Sequence, residues 1–115
     1  MKVPNVSRGE IWSVRLDPVI GHEQAGMRPA LIISVDGFNH GPSGLAVVLP
    51  ITSHDKHVPF HVQIEPLESG LPKTSFVKCE DVRSVSRERL RERRGAISAS
   101  KLDLVEDRLR ILLGL

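Results

Sequence analysis

The side chains able to do chemistry fall in two places. Gly21-His22-Glu23-Gln24-Ala25-Gly26-Met27-Arg28 holds an imidazole, a carboxylate, an amide and a guanidinium around two glycines. Further on, Thr52-Ser53-His54 adds two hydroxyls and a second imidazole. Arg28 carries a permanent charge and can give two parallel hydrogen bonds to one anion. It stands before Pro29 and the branched run Ala30 to Ser34, so its backbone is tied to a strand while its side chain faces a loop. The hydroxyls of Thr52 and Ser53 can donate to the same kind of oxyanion. Glu23 suits an orienting group for Arg28 or for a donor on a substrate. The plain alternative is a surface turn feeding a core strand: Arg28 solvated or paired with Glu23, and Thr52 and Ser53 serving as strand-end turn formers.

The rest of the sequence narrows the choices. It contains no phosphate-cradling glycine loop, no dinucleotide glycine pattern, no His-Glu-x-x-His and no Gly-x-Ser-x-Gly. His54 and His57 have a spacing that suits two metal ligands on a helix, but Pro59 follows and no carboxylate pattern completes a site. No metal and no cofactor are expected, and His40, His54, His57 and His61 read as exposed. Cys79 is the single cysteine, so a disulfide framework is excluded. Trp12, Phe38, Phe60 and Phe76 are the only aromatics, too few for a base-stacking platform or a proline-peptide groove. The formal net charge of +2 permits nucleic-acid binding without implying it, because the distribution of charge is what counts. No apolar run is long enough to span a bilayer, and the first residues lack a signal-peptide core, so a cytoplasmic location without membrane association is the default.

Short strands must position these groups. Residues 1–7 read as a flexible tail and residues 8–115 as a single domain. Glu10 to Leu16 alternates, with Trp12, Val14 and Leu16 on one face. Ala30 to Val35 and Leu45 to Ile51 are buried strands, the latter with its pairing interrupted near Pro50. His61 to Glu65, Ser75 to Cys79 and Val82 to Val85 are shorter ones. Ser86 to Arg94, dense in Arg and Glu, reads as a short surface helix whose interleaved charges are solvated, and Ala96-Ile97 as a brief edge strand. A final helix follows, with Ser100 and Asp103 as a capping box and Leu102, Val105, Leu109 and Leu112 on its inner face. The fold class is mainly β: a small antiparallel barrel or strongly bent sheet, with the terminal helix packed on one side.

Gly21-His22-Glu23-Gln24-Ala25-Gly26-Met27-Arg28-Pro29, followed by Leu31-Ile32-Ile33-Ser34, closely resembles the first signature of the MazF/PemK toxins, the endoribonuclease halves of type II toxin–antitoxin pairs. Arg8-Gly9-Glu10-Ile11-Trp12 is similar to the family's first strand and Leu49-Pro50-Ile51-Thr52-Ser53 to its second signature. Ser69-Gly70-Leu71, Ser75 through Cys79, Val82-Arg83-Ser84-Val85 and Arg89-Leu90 follow the family's later order. Asp81 departs from it, standing where many members carry Gln.

The resemblance implies an SH3-like barrel that forms a homodimer, cleaves single-stranded RNA at short preferred sequences without a metal, and is inhibited by an antitoxin. DNA would be reached only through that antitoxin. Arg28 and Thr52 match the family's catalytic positions. Glu23 and Gln24 match the loop that contacts RNA and gates the site, and His22, Ser53 and His54 are expected to contact RNA beside them. Base reading is expected from the loops Asp17–Arg28 and His54–Phe60. Two alternatives remain at this point: a gyrase-inhibiting toxin of the CcdB type, whose Trp-Gly-Ile-like end is not matched by Leu113-Gly114-Leu115, and a non-catalytic SH3-like module that only binds RNA.

Overall fold

The computed structural model describes residues 3–16 and 27–115. Their backbone forms seven strands: β1 (Glu10–Arg15), β2 (Met27–Ile32), β3 (Leu45–Thr52), β4 (His61–Ile64), β5 (Ser75–Lys78), β6 (Arg83–Ser86) and β7 (Leu90–Ala96). Three helices accompany them, the single turns α1 (Asp36–Asn39) and α2 (Pro66–Ser69) and the longer α3 (Ala99–Leu113). The strands pair antiparallel in the order β4-β5-β3-β2-β1-β7, with β6 also on β3. This is the small, strongly bent, mainly β fold with a C-terminal helix that the sequence implies.

β3 is the strand on which the bend turns. Along one edge it pairs with β2, from Val48 to Pro50. Along the other, Leu45 to Val48 pair with β6, and then Ile51 and Thr52 pair with β5. Pro50 falls where that second edge changes partners, so the missing N–H breaks no bond there. The strand interiors alternate between two cores. Trp12, Val14, Ala30, Ile32, Ala46, Val48, Val85 and Leu90 share one, and Leu16 packs against it. Ile11, Leu31, Leu49, Ile51, Val62, Ile64 and Val77 share the other with Val105 of α3, and Leu102 and Leu109 pack on its margin.

Several expectations need correction. Val6, within the expected tail, is fully buried in the first core, and His40 Nε2 lies 2.8 Å from its carbonyl oxygen. β2 begins at Met27 rather than Ala30, so Pro29 lies inside the strand, opposite Ser13. It is tolerated because pairing with β3 begins only at Ala30. The segment Ser86 to Arg94 is no helix. A 3-10 turn at Arg87–Arg89 leads into β7, whose backbone pairs along β1. Leu90 is its one buried anchor, and residues 91–94 are exposed. α3 is capped by Ser98, not Ser100: the Ser98 hydroxyl accepts from the Lys101 amide at 3.3 Å. Ile97 bonds the Gly9 carbonyl and is buried, which turns the chain at the very next residue.

One backbone contact controls where the end of β7 lies. Gly70, left-handed at φ 73°, closes α2 against Gly95 of β7. A Cβ on Gly70 would stand 1.9 Å from the Arg94 carbonyl oxygen, and one on Gly95 would stand 2.3 Å from that of Ser69. Gly95→Ala should therefore cost about 1–3 kcal/mol or more through overpacking, read as a fall in the urea midpoint at unchanged m-value.

Glu10 ties β1 to its surroundings. It accepts from the Ser7 amide at 2.8 Å, from Trp12 Nε1 at 3.0 Å and from Arg93 Nε at 3.0 Å. Burial alone would raise its carboxyl, but these bonds outweigh burial and hold it below the usual 4.5. A carboxyl lowered in the folded state stabilises fully above its unfolded value, and that contribution is lost as pH falls through the folded one. Thermal midpoints measured from pH 7 downward should drop below about pH 4.5. The drop should be shallower in Glu10→Gln; an unchanged slope would exclude Glu10 as a contributor.

Candidate active site

Arg28 and Thr52 are brought together by strand register. β2 and β3 pair as Ala30↔Pro50, Leu31↔Leu49 and Ile32↔Val48. Carried two residues beyond the last pair, the same register sets Arg28 opposite Thr52. The ladder has ended by then, and the residues at the two strand ends line two clefts. The larger, about 600 Å³, is lined by Arg28, Thr52, Ser53 and His54 together with Lys56, Lys78, Asp81 and Arg83. The second, about 360 Å³, shares Arg28, Ile51, Thr52, Ser53 and His54 and adds Ser13, Lys73, Ser75 and Arg94. Arg28, Ile51, Thr52, Ser53 and His54 thus form the ridge common to both.

The local chain orients these groups. The Thr52 hydroxyl oxygen accepts from the His54 amide at 3.2 Å, a short side-chain turn that fixes the oxygen while leaving its proton free to donate outward. The 3-10 turn Cys79–Asp81 presents Asp81 to the larger cleft, and Lys78 Nζ lies 3.6 Å from the Asp81 carboxylate. That turn is tied from behind. The Cys79 amide donates to the Phe60 carbonyl at 3.3 Å, and His61 Nε2 lies 2.8 Å from Glu80 Oε2. Burial tends to raise the Glu80 carboxyl, but the His61 bond, assisted by Lys78, brings it below the ordinary range. Burial pushes the Cys79 thiol up to about 11, so it is protonated and unreactive at neutral pH.

Of the residues singled out by sequence, Arg28, Thr52, Ser53 and His54 are gathered at one place. His22, Glu23 and Gln24, with most of the glycine-bounded loop, lie outside the described residues. His61 is not an exposed loop residue: it starts β4, and its side chain is 4 % exposed. Among the described residues, no three His, Cys, Asp or Glu side chains are grouped to hold a metal ion.

Sequence reasoning missed the cations that surround the ridge. Lys56, Lys78 and Arg83 line one cleft, and Lys73 and Arg94 the other. The Arg83-to-Arg94 stretch is therefore not only a solvated face, because its two ends reach the site from opposite sides. No signal in the sequence could have found them: Gly70 and Gly95, which bring the end of β7 to α2, meet only in the folded backbone. Such an arrangement can seat an extended polyanion across the ridge, with one phosphate between Arg28 and Thr52 and its neighbours in the flanking clefts.

Comparison with known proteins gives a consistent result. The family of "PemK-like, MazF-like toxin of type II toxin-antitoxin system" matches residues 7–113. The chain is 34% identical over 111 residues to Endoribonuclease MazF of Staphylococcus epidermidis, covering 96% of this chain and 92% of that protein. It is 36% identical over 113 residues to Endoribonuclease MazF9 of Mycobacterium tuberculosis, covering 94% and 96%. Its backbone is similar to the crystal structure of MazF from Deinococcus radiodurans, with a TM-score of 0.79, 33% identity and full coverage of both chains. It also resembles a MazE–MazF structure from the same organism, with a TM-score of 0.80, 29% identity and 99% of each chain covered.

Proposed function

From the premise that the chain belongs to the PemK-like, MazF-like toxins of type II toxin–antitoxin systems and is an endoribonuclease of that family, we propose that it cuts single-stranded RNA at the Arg28–Thr52 ridge by attack of the ribose 2′-OH, with no metal or cofactor. What supports this reading is that Arg28 and Thr52 both line the wall shared by two cationic clefts.

The nucleophile comes with the substrate, next to the phosphorus, so the protein need not generate one. The 2′-oxygen bonds to phosphorus as its proton leaves, the bond to the 5′-oxygen breaks, and that oxygen takes up a proton. The products are a 2′,3′-cyclic phosphate and a 5′-hydroxyl. Extra negative charge gathers on the non-bridging oxygens. Arg28 can give them two bonds and a full charge, and Thr52 can give a third donor already oriented by its own turn. A guanidinium keeps its proton and is a poor base, so Arg28 serves charge stabilisation, with proton donation to the leaving oxygen open to it. The base is Glu23, His22 or water. Ser53, His54, Lys56 and Lys73 hold adjoining nucleotides, and Gln24 acts with Glu23 in the loop that gates the site.

The assembly reading is a homodimer acting in the cytoplasm, held inactive by an antitoxin whose flexible segment covers the cationic clefts. DNA contact comes only through that antitoxin. A solved MazE–MazF complex at 29% identity supports an antitoxin partner. Ile111 on α3 and Leu115 just beyond its end, 62% and 85% exposed, supply apolar surface for a second copy. No helix among the described residues is long and apolar enough to cross a membrane.

Arg28→Ala should lower the rate of oligoribonucleotide cleavage by about a hundredfold or more, with folding and oligomeric state unchanged. Thr52→Ala should lower kcat by a comparable factor with little change in RNA affinity. Near-wild-type turnover in both variants would remove the ridge from the chemistry. Cleavage should persist in EDTA and leave cyclic phosphate ends, and an all-deoxy substrate should survive intact; dependence on a divalent ion would contradict the scheme.

A further inference from the structure

Asp81 is the one carboxylate among the described residues lining either cleft, and Arg28, Lys56, Lys78 and Arg83 line the same cleft with it. A carboxylate in a groove for phosphates repels the backbone of the strand, so its favourable partner is the part of a nucleotide that offers N–H donors, the base edge. Resting on the ribonuclease reading above, we infer that Asp81 is a specificity-determining residue: its carboxylate accepts from the Watson–Crick edge of a guanine next to the scissile phosphate.

The placement of Asp81 supports this. The 3-10 turn that carries it is held by buried Cys79 and by the His61–Glu80 contact at 2.8 Å. The turn so held carries Asp81 to the cleft, where its side chain is 42% exposed. Lys78 Nζ, at 3.6 Å, is too far for a hydrogen bond, so both oxygens keep their acceptor capacity. Two acceptors side by side match two donors side by side. Guanine presents these as N1–H and the N2 amino group, whereas cytosine and adenine pair one amino donor with an acceptor and uracil presents one imino donor. An unpaired strand leaves that edge open to the protein. Arg28 and Thr52 line the same cleft, which puts the base in a nucleotide adjoining the cut.

The test uses the full chain and two substrates. One is a random-sequence RNA whose cut ends are sequenced. The other is a set of short 2′-O-methyl oligonucleotides, which cannot be cut, differing in one base and read by binding. Wild type should require guanine at one position flanking the cut and bind the guanine oligonucleotide about 5- to 150-fold more tightly than its adenine counterpart. Asp81→Ala should level that difference. Asp81→Asn, now one acceptor and one donor, should shift preference away from guanine toward adenine and cytosine. Lys78→Ala should weaken all sequences alike, as loss of a phosphate contact does. Equal binding of the four bases by wild type, guanine preference surviving in both Asp81 variants, or Lys78→Ala reproducing their loss of preference would each overturn the inference. If guanine is preferred in binding while natural RNA stays uncut, the ribonuclease reading fails and the base assignment stands.

Discussion

The pairing of β2 with β3 is the constraint on which the rest depends. A strand pair has a side-chain period of two, so a slip of one residue would turn Arg28 or Thr52 away from its partner and expose Leu31 or Leu49. Both cores resist that slip, because Ala30 and Ile32 belong to one while Leu31 belongs to the other. The interior thus sets the site to within a residue without any polar contact between the two site side chains. The bend adds the opening. β3 exchanges β6 for β5 around Pro50, and β2 loses its ladder to β3 at Ala30, where the residues at the two strand ends line the clefts.

Charge enters from elements far apart in the chain. Arg28 comes from β2, Lys78 and Asp81 from the end of β5 and its 3-10 turn, Arg83 from β6 and Arg94 from β7. Gathering so many cations raises self-repulsion in the free protein, and a polyanion or an acidic partner relieves it. A lone carboxylate among those cations has little to offer a phosphate and more to offer a base.

The periphery keeps this geometry in place. Arg8 bonds the Asp36 carboxylate through its amide at 2.7 Å, the Ile33 carbonyl through Nε at 3.1 Å, and Glu106 of α3 through its guanidinium. It thereby joins the chain before β1, the turn into α1 and the terminal helix. On the far side, Gly70 against Gly95 brings the end of β7 to the second cleft. Neither contact touches the ridge, yet each limits where one of its walls can stand.

The sequence by itself determined β1, β4 and the inner face of α3, because burial on one face leaves a readable period, and β3, because a buried central strand leaves a continuous apolar run. It also marked Arg28 and Thr52 as a matched pair, through the signatures around them. Only the tertiary structure decided that Arg87 to Ala96 is largely a strand: β7 is held by backbone bonds to β1, and those leave no mark on a run of exposed arginines and glutamates. It alone placed Lys56, Lys73, Lys78, Arg83 and Arg94 around one ridge. Long-range electrostatic gathering depends on the path of the sheet, and a surface lysine reads the same in sequence wherever the fold carries it.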